Sequence, residues 1–213
     1  MIKNGKDGKQ SSSARAYESM FNTAKEWLAG ADPAALCGRC GAAWNEEKQE
    51  IRICTLGQDV HLSWPLLAVE PAIPNWQMLV LLHYLFRCDG TRPKGTRIAL
   101  ADMKDGLIRG AKFDLTAERS FTRILKDRSE AEIVRAFETL GAVREAGKSD
   151  LEFRIPVFPH FPVYSSIYLA DEDFPASGKL FVDTAADHSL TIEDAVTVGD
   201  LILTMIDKAL LRS

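Results

Sequence analysis

The stretch Asn75–Gly90, NWQMLVLLHYLFRCDG, decides the fold. Trp76, Met78, Leu79, Leu82, Leu85 and Phe86 and the apolar residues between them leave almost no polar face at helical spacing. This predicts a helix over about 75–89, capped by Asn75 and ended by Gly90, that is buried on nearly every side. Such a helix belongs in the middle of a fold whose other elements supply its cover. Its longest uninterrupted apolar run, Met78 to Leu82, is far too short to span a bilayer, and His83 and Arg87 follow it.

Working outward, Ser12 or Ser13 can cap a first helix that runs to about Gly30, with Tyr17, Phe21, Ala24 and Leu28 on one face. Asp32-Pro33 opens a short second helix holding Leu36 and Cys37. Ile51 and Ile53, then Val60, Leu62 and Trp64, alternate with polar residues across Leu56-Gly57, which predicts two strands and a tight turn. His61 faces away from the apolar side of that pair. Beyond the central helix lie a basic loop (Thr91 to Arg97), a short strand at Ile98 to Leu100, and a glycine-punctuated stretch, with Gly106 and Gly110, ending at Phe113. Helices follow at roughly 116–127 and 129–140; Ser129 with Glu132 forms a capping box for the second, and Gly141 ends it. Leu151, Phe153 and Ile155 alternate as a strand, and Thr191 to Asp194 starts the last helix. The fold class is α+β: a mostly antiparallel sheet with packed helices and one buried central helix. The polar start, residues 1–12, reads as a flexible tail, and 13–213 as a single domain.

The chain has 213 residues, 46% hydrophobic and 26% charged, enough for a real core. A net charge of −4 argues against a general nucleic-acid binder. The N-terminus has lysines but no apolar segment after them, so it is not a secretory signal. Together with the lack of a membrane-spanning run, this predicts a cytoplasmic protein. In a reducing compartment Cys37, Cys40, Cys54 and Cys88 would be packed thiols, metal ligands or redox groups. Motifs of the nucleotide-loop, dinucleotide, α/β-hydrolase and zincin types are absent from the sequence.

The chemistry gathers in Pro156–Asp194, PVFPHFPVYSSIYLADEDFPASGKLFVDTAADHSLTIED. Asp171 and Asp173 would point the same way in an extended chain and, with Asp183, could serve a hard divalent cation or a polar ligand. The plainer reading is a turn at DEDFP, with Asp183 bonded to backbone amides. Glu193 and Asp194 sit in the first turn of a helix, where acids favour the dipole. His160, in the FPHFP loop, is either a general base or metal ligand, or a surface imidazole in an apolar loop. His83 is either a core histidine bonded to a carbonyl or to an acid such as Asp183, or a pocket group. Cys37 and Cys40 form a CxxC that can share a metal or form a disulfide, though no second CxxC completes a zinc ribbon.

The chain resembles the bacterial and archaeal family catalogued as domain of unknown function 3786. The resemblance rests on LLHYL at 81–85, LG at 140–141, FP at 158–159, DEDFP at 171–175, LFVD at 180–183 and ED at 193–194. It implies the company of iron–sulfur or corrinoid methyl-transfer proteins in anaerobes. Taken with the residues, it leads us to expect a ligand- or metal-binding accessory protein whose pocket is lined by His83, His160, Asp171, Asp173 and Asp183. A divalent metal, a corrinoid or an iron–sulfur cluster is the cofactor class implied, and a metalloenzyme or corrinoid protein the partner, with no nucleic acid and no membrane. A metal-assisted hydrolase or transferase using His and Asp, and a protein-interaction module built on FPHFP, are the alternatives.

Overall fold

A computed structural model describes the chain from Asp7 to Arg212, with side chains from Arg15 onward. The architecture is α+β, with six helices and two antiparallel sheets among the described residues. The first helix, α1, spans Asp7–Leu28. Of the tail expected over 1–12, residues 1–6 lie outside the described residues and 7–12 belong to α1. Serine costs a helix only about 0.5 kcal/mol relative to alanine, too little to delay a helix with a strong apolar face behind it. α2, Pro33–Cys40, has the Asp32 cap, whose Oδ1 accepts from the Ala34 amide at 3.0 Å, and closes at Gly41 with φ 66°.

The strands divide between two sheets, not one. The first has the order β1 (Ala43–Asn45), β2 (Glu50–Thr55), β3 (Gln58–Ser63), β4 (Val69–Glu70). The second has the order β5 (Arg97–Ile98), β9 (Ser177–Asp183), β8 (Phe161–Tyr168), β7 (Leu151–Phe158), β6 (Val143–Glu145). The sheets meet where the tip of the β2–β3 turn touches β7 and the turn before β6. The Leu56 amide donates to the Pro156 carbonyl at 3.1 Å. Gly57 and Gly141 lie backbone to backbone: a Cβ on Gly141 would fall 2.6 Å from the Gly57 Cα. No side chain fits between them, so the sequence's separate LG motifs are one contact.

The central helix α3 spans Asn75–Arg87. Pro74 occupies the capping position, and Asn75 is the first helical residue, not the cap. Most of its faces are buried, as the composition dictates, but Trp76 and Phe86 keep more than two-fifths of their surface exposed. One stripe of α3 is therefore open.

α4 spans Gly106–Ile124, beginning about ten residues before the helix expected at 116. The glycines that suggested a loop are packing devices. A Cβ at Gly106 or Gly110 would lie 2.3 Å from the Leu100 carbonyl oxygen, so the helix reaches this contact only without side chains there. α5 (Glu130–Glu138) and α6 (Ile192–Leu210) both carry the full capping box, from Ser129/Glu132 and Thr191/Asp194. α6 packs on α3, α4 and α5, and α4 packs on β9. Phe121, Phe137 and Phe153 stack through the core, the last pair at 4.1 Å between ring centres, and Tyr84 of α3 stacks on Phe158 at 4.5 Å. Among the described residues, no helix is long and apolar enough to cross a membrane.

Candidate functional site

The open stripe of α3 faces α1 on one side and the start of α6 on the other. It forms the floor of a groove of about 430 Å³. His83 projects into this groove from α3. Its Nδ1 donates to Asp194 Oδ1 at 2.6 Å. Both side chains are nearly buried, at 12% and 8% exposure. Its other ring nitrogen, Nε2, has no protein partner among the described residues.

Asp194 does two jobs. As the third residue of α6 it closes the capping box, its Oδ2 accepting from the Thr191 hydroxyl at 2.6 Å and the Thr191 amide at 3.2 Å. Its other oxygen is left to orient His83. Burial raises its pKa, but the bonds from His83 and Thr191 outweigh this and hold the carboxyl below its ordinary range.

Around the dyad stand an apolar rim and two cations. Trp27 packs against His83 at 5.4 Å between ring centres and stacks on Phe86 at 5.2 Å. Trp76 and Met20 complete the rim, and all four apolar side chains are about two-fifths exposed. Arg109 pairs with Glu193 at 3.0 Å. Arg87 is exposed on the groove wall with no carboxylate partner among the described residues. The arrangement offers a flat apolar surface, a guanidinium and one fixed imidazole edge. This suits recognition of a small molecule with an anionic group and a planar body.

Of the five residues expected to share a pocket, only His83 lines this groove. Asp171 is exposed; its Oδ1 accepts from the amides of Asp173 and Phe174 at 2.9 and 2.8 Å, closing a turn. Asp173 is exposed in the same turn. Asp183 is buried at the end of β9 and accepts from the amides of Lys94 (3.0 Å), Gly95 (2.7 Å) and Ala185 (2.9 Å). It fixes the basic loop and is not the acid that meets His83. His160 sits buried in the β7–β8 turn, not at the surface. Its Nδ1 lies 3.7 Å from Cys88 Sγ, and its amide donates to the Tyr84 hydroxyl at 3.0 Å.

Nor do the four cysteines gather. Cys54 is exposed on β2, while Cys37, Cys40 and Cys88 are buried. Burial first, then Asp32, pushes the Cys37 thiol up to about 11, and Cys40 Sγ donates to the Leu85 carbonyl at 3.5 Å. Among the described residues no group of three or more His, Cys, Asp or Glu side chains is arranged to hold a metal ion. Cys37 packs in the core, while Cys40 lies beside Cys88 where the ends of α2 and α3 meet.

Sequence reasoning placed none of Trp27, Trp76, Arg87 and Arg109 at a site, and read Asp194 as an acid favouring the dipole of the last helix. One signal was available. In T-x-x-D the capping carboxylate has a spare oxygen, and the apolar helix carries a histidine that requires a partner.

No curated protein and no solved structure matches the chain. The family described as Domain of unknown function (DUF3786) matches residues 32–205, a span that contains α2 to β9 and most of α6. It includes His83, Asp194 and both arginines of the groove, while Met20 and Trp27 lie before it. The chain therefore belongs to the DUF3786 family.

Proposed function

We propose that this protein binds a small anionic molecule with a flat apolar part in the groove between α1, α3 and α6. The observation that carries the reading is the 2.6 Å bond from His83 to Asp194 beneath an open ring edge, with Arg87 beside it unpaired among the described residues. Asp194 fixes the imidazole so that Nε2 is the edge a ligand meets. The neutral ring accepts a hydrogen bond there, and the protonated ring donates one. Arg87 supplies the charge for a carboxylate or phosphate, and Trp27 and Trp76 the apolar faces. This keeps the ligand-binding half of the accessory role and moves it away from Asp171, Asp173, Asp183 and His160. The corrinoid company implied by the family resemblance enters as a choice of probe.

The test is thermal shift and tryptophan fluorescence with phenyl phosphate, benzoate, inorganic phosphate and cyanocobalamin. Phenyl phosphate is expected to bind more tightly than inorganic phosphate, because only it uses the aromatic rim. At a hundredfold excess over Kd it should stabilise the fold by about 2.7 kcal/mol. His83→Ala and Arg87→Ala should each lose most of that gain. No response to any of the four probes would overturn the reading.

Nε2, without a partner among the described residues, also favours a second reading, acid–base catalysis with His83 as proton acceptor and Asp194 as its orienting group. Turnover of p-nitrophenyl esters, lost in both His83→Ala and Asp194→Asn while phenyl phosphate still binds, would select it.

A further inference from the structure

A second cluster of reactive groups lies at the C-terminal end of α3 and shares no residue with the groove. Cys88 follows the last residue of α3 and Cys40 ends α2. The two helix ends are tied to each other in both directions. Cys88 Sγ lies 3.5 Å from the Arg39 carbonyl oxygen, in the peptide that leads into Cys40. Cys40 Sγ lies 3.5 Å from the Leu85 carbonyl and 3.8 Å from that of Tyr84. The Tyr84 hydroxyl donates to the Cys40 carbonyl at 2.8 Å. The two thiols are consequently neighbours where the ends of α2 and α3 meet. His160 Nδ1 stands 3.7 Å from Cys88 Sγ, and the Ser189 hydroxyl 3.9 Å from it.

The pair is asymmetric. The neighbouring Cys40 thiol, the Gly90 amide, His160 (3.7 Å away) and Tyr84 favour the Cys88 thiolate, against burial. Cys40 Sγ instead faces the Leu85 and Tyr84 carbonyl oxygens, which accept from a protonated thiol. A thiolate beside a protonated thiol is the arrangement of an attacking sulfur and its resolving partner. Both sulfurs are buried, which favours a small oxidant.

We propose that Cys40 and Cys88, and not the Cys37–Cys40 pair of the CxxC, form a reversible dithiol–disulfide couple that is oxidised by hydrogen peroxide. The Cys88 thiolate attacks one peroxide oxygen. The O–O bond breaks, and the departing hydroxide takes up the proton that Cys88 released, leaving as water. Cys88 is now a sulfenic acid. The Cys40 sulfur attacks it, the S–O bond breaks, and the hydroxyl leaves with the Cys40 proton as a second water. Two electrons pass from the dithiol to one peroxide, and a dithiol reductant returns them. Gly41 lets the Cys40 end of α2 approach the turn: a Cβ there would stand 2.9 Å from the Pro159 Cβ and 3.2 Å from His160 Nε2.

The experiment treats the full chain with hydrogen peroxide, in a Cys54→Ser background so that the exposed thiol does not link copies. Remaining thiols are then alkylated and the peptides mapped. The expected result is loss of two of the three thiols, a product 2 Da lighter, and one cross-linked peptide joining Cys40 to Cys88, all reversed by dithiothreitol. Adding Cys37→Ser should leave the cross-link intact, and His160→Gln should slow its formation several-fold. A cross-link between Cys37 and Cys40, or a folded protein that keeps all three thiols while peroxide oxidises Cys54 of the unsubstituted chain, would overturn the proposal.

Discussion

At the scale of residues, two aspartates that look alike in the sequence have opposite fates. Asp171 bonds two amides of its own exposed turn, so Asp171→Ala should cost no more than about 1 kcal/mol. Asp183 is buried and holds three amides, two of them from a distant loop. Asp183→Ala should cost about 3 kcal/mol, because the amides it leaves are partly sealed from water. Urea denaturation of the two variants separates them. Asp194 adds a dependence on pH. Its carboxyl is held below its ordinary range, so its stabilisation is present above the unfolded-state pKa of about 4. That stabilisation is lost as the pH falls through the lower folded-state value. Asp194→Asn should therefore be less stable than the parent at pH 7 and approach it as the pH falls below 4, measured by denaturation across that range. Sequence showed each of these acids but not its partner. The DEDFP turn is local and could be read directly. The contacts of His83 with Asp194 and of Asp183 with Lys94 join residues about ninety or more apart, and nothing in the local pattern fixes such pairings.

At the scale of elements, what was legible followed periodicity and caps. α2, α3, α5 and α6 carry clear apolar spacing with start or stop signals, and each forms where those signals lie, apart from the exchange of Pro74 for Asn75 at the start of α3. α4 was obscured because its first turns contain Gly106 and Gly110, which read as loop residues. Their purpose appears only once Leu100 is seen pressed against them, so Gly110→Ala should shift or unwind the start of α4, seen as lost hydrogen-exchange protection there. The Gly57–Gly141 contact was hidden for the same reason. Gly141 has φ 68° and touches backbone, so alanine there carries both a conformational and a steric penalty. Gly141→Ala should destabilise the chain by about 2–3 kcal/mol, more than an ordinary glycine-to-alanine change at a left-handed position. Thermal unfolding measures it.

At the scale of the whole molecule, the apolar helix that fixed the fold also fixes the site. α3 is covered by α1, α2 and α6 except along one stripe, and the groove is that gap. The α+β class followed from the alternation of strand and helix patterns. That the strands form two sheets did not, because the hydrophobic pattern of a strand does not say which sheet it joins. In the acidic segment Asp171–Asp194, Asp171 and Asp183 bond backbone amides, and the last residue, Asp194, is brought to His83 by the start of α6. Binding in this groove is the central claim, and its most direct measurement is a nuclear magnetic resonance titration with phenyl phosphate. The claim predicts that the His83 imidazole and the Trp27 and Trp76 indole signals shift together along one saturating curve, while those of His61 and His160 stay fixed. A titration in which His83 does not move, or in which the shifts gather around His160 or the Asp171 turn, would contradict it.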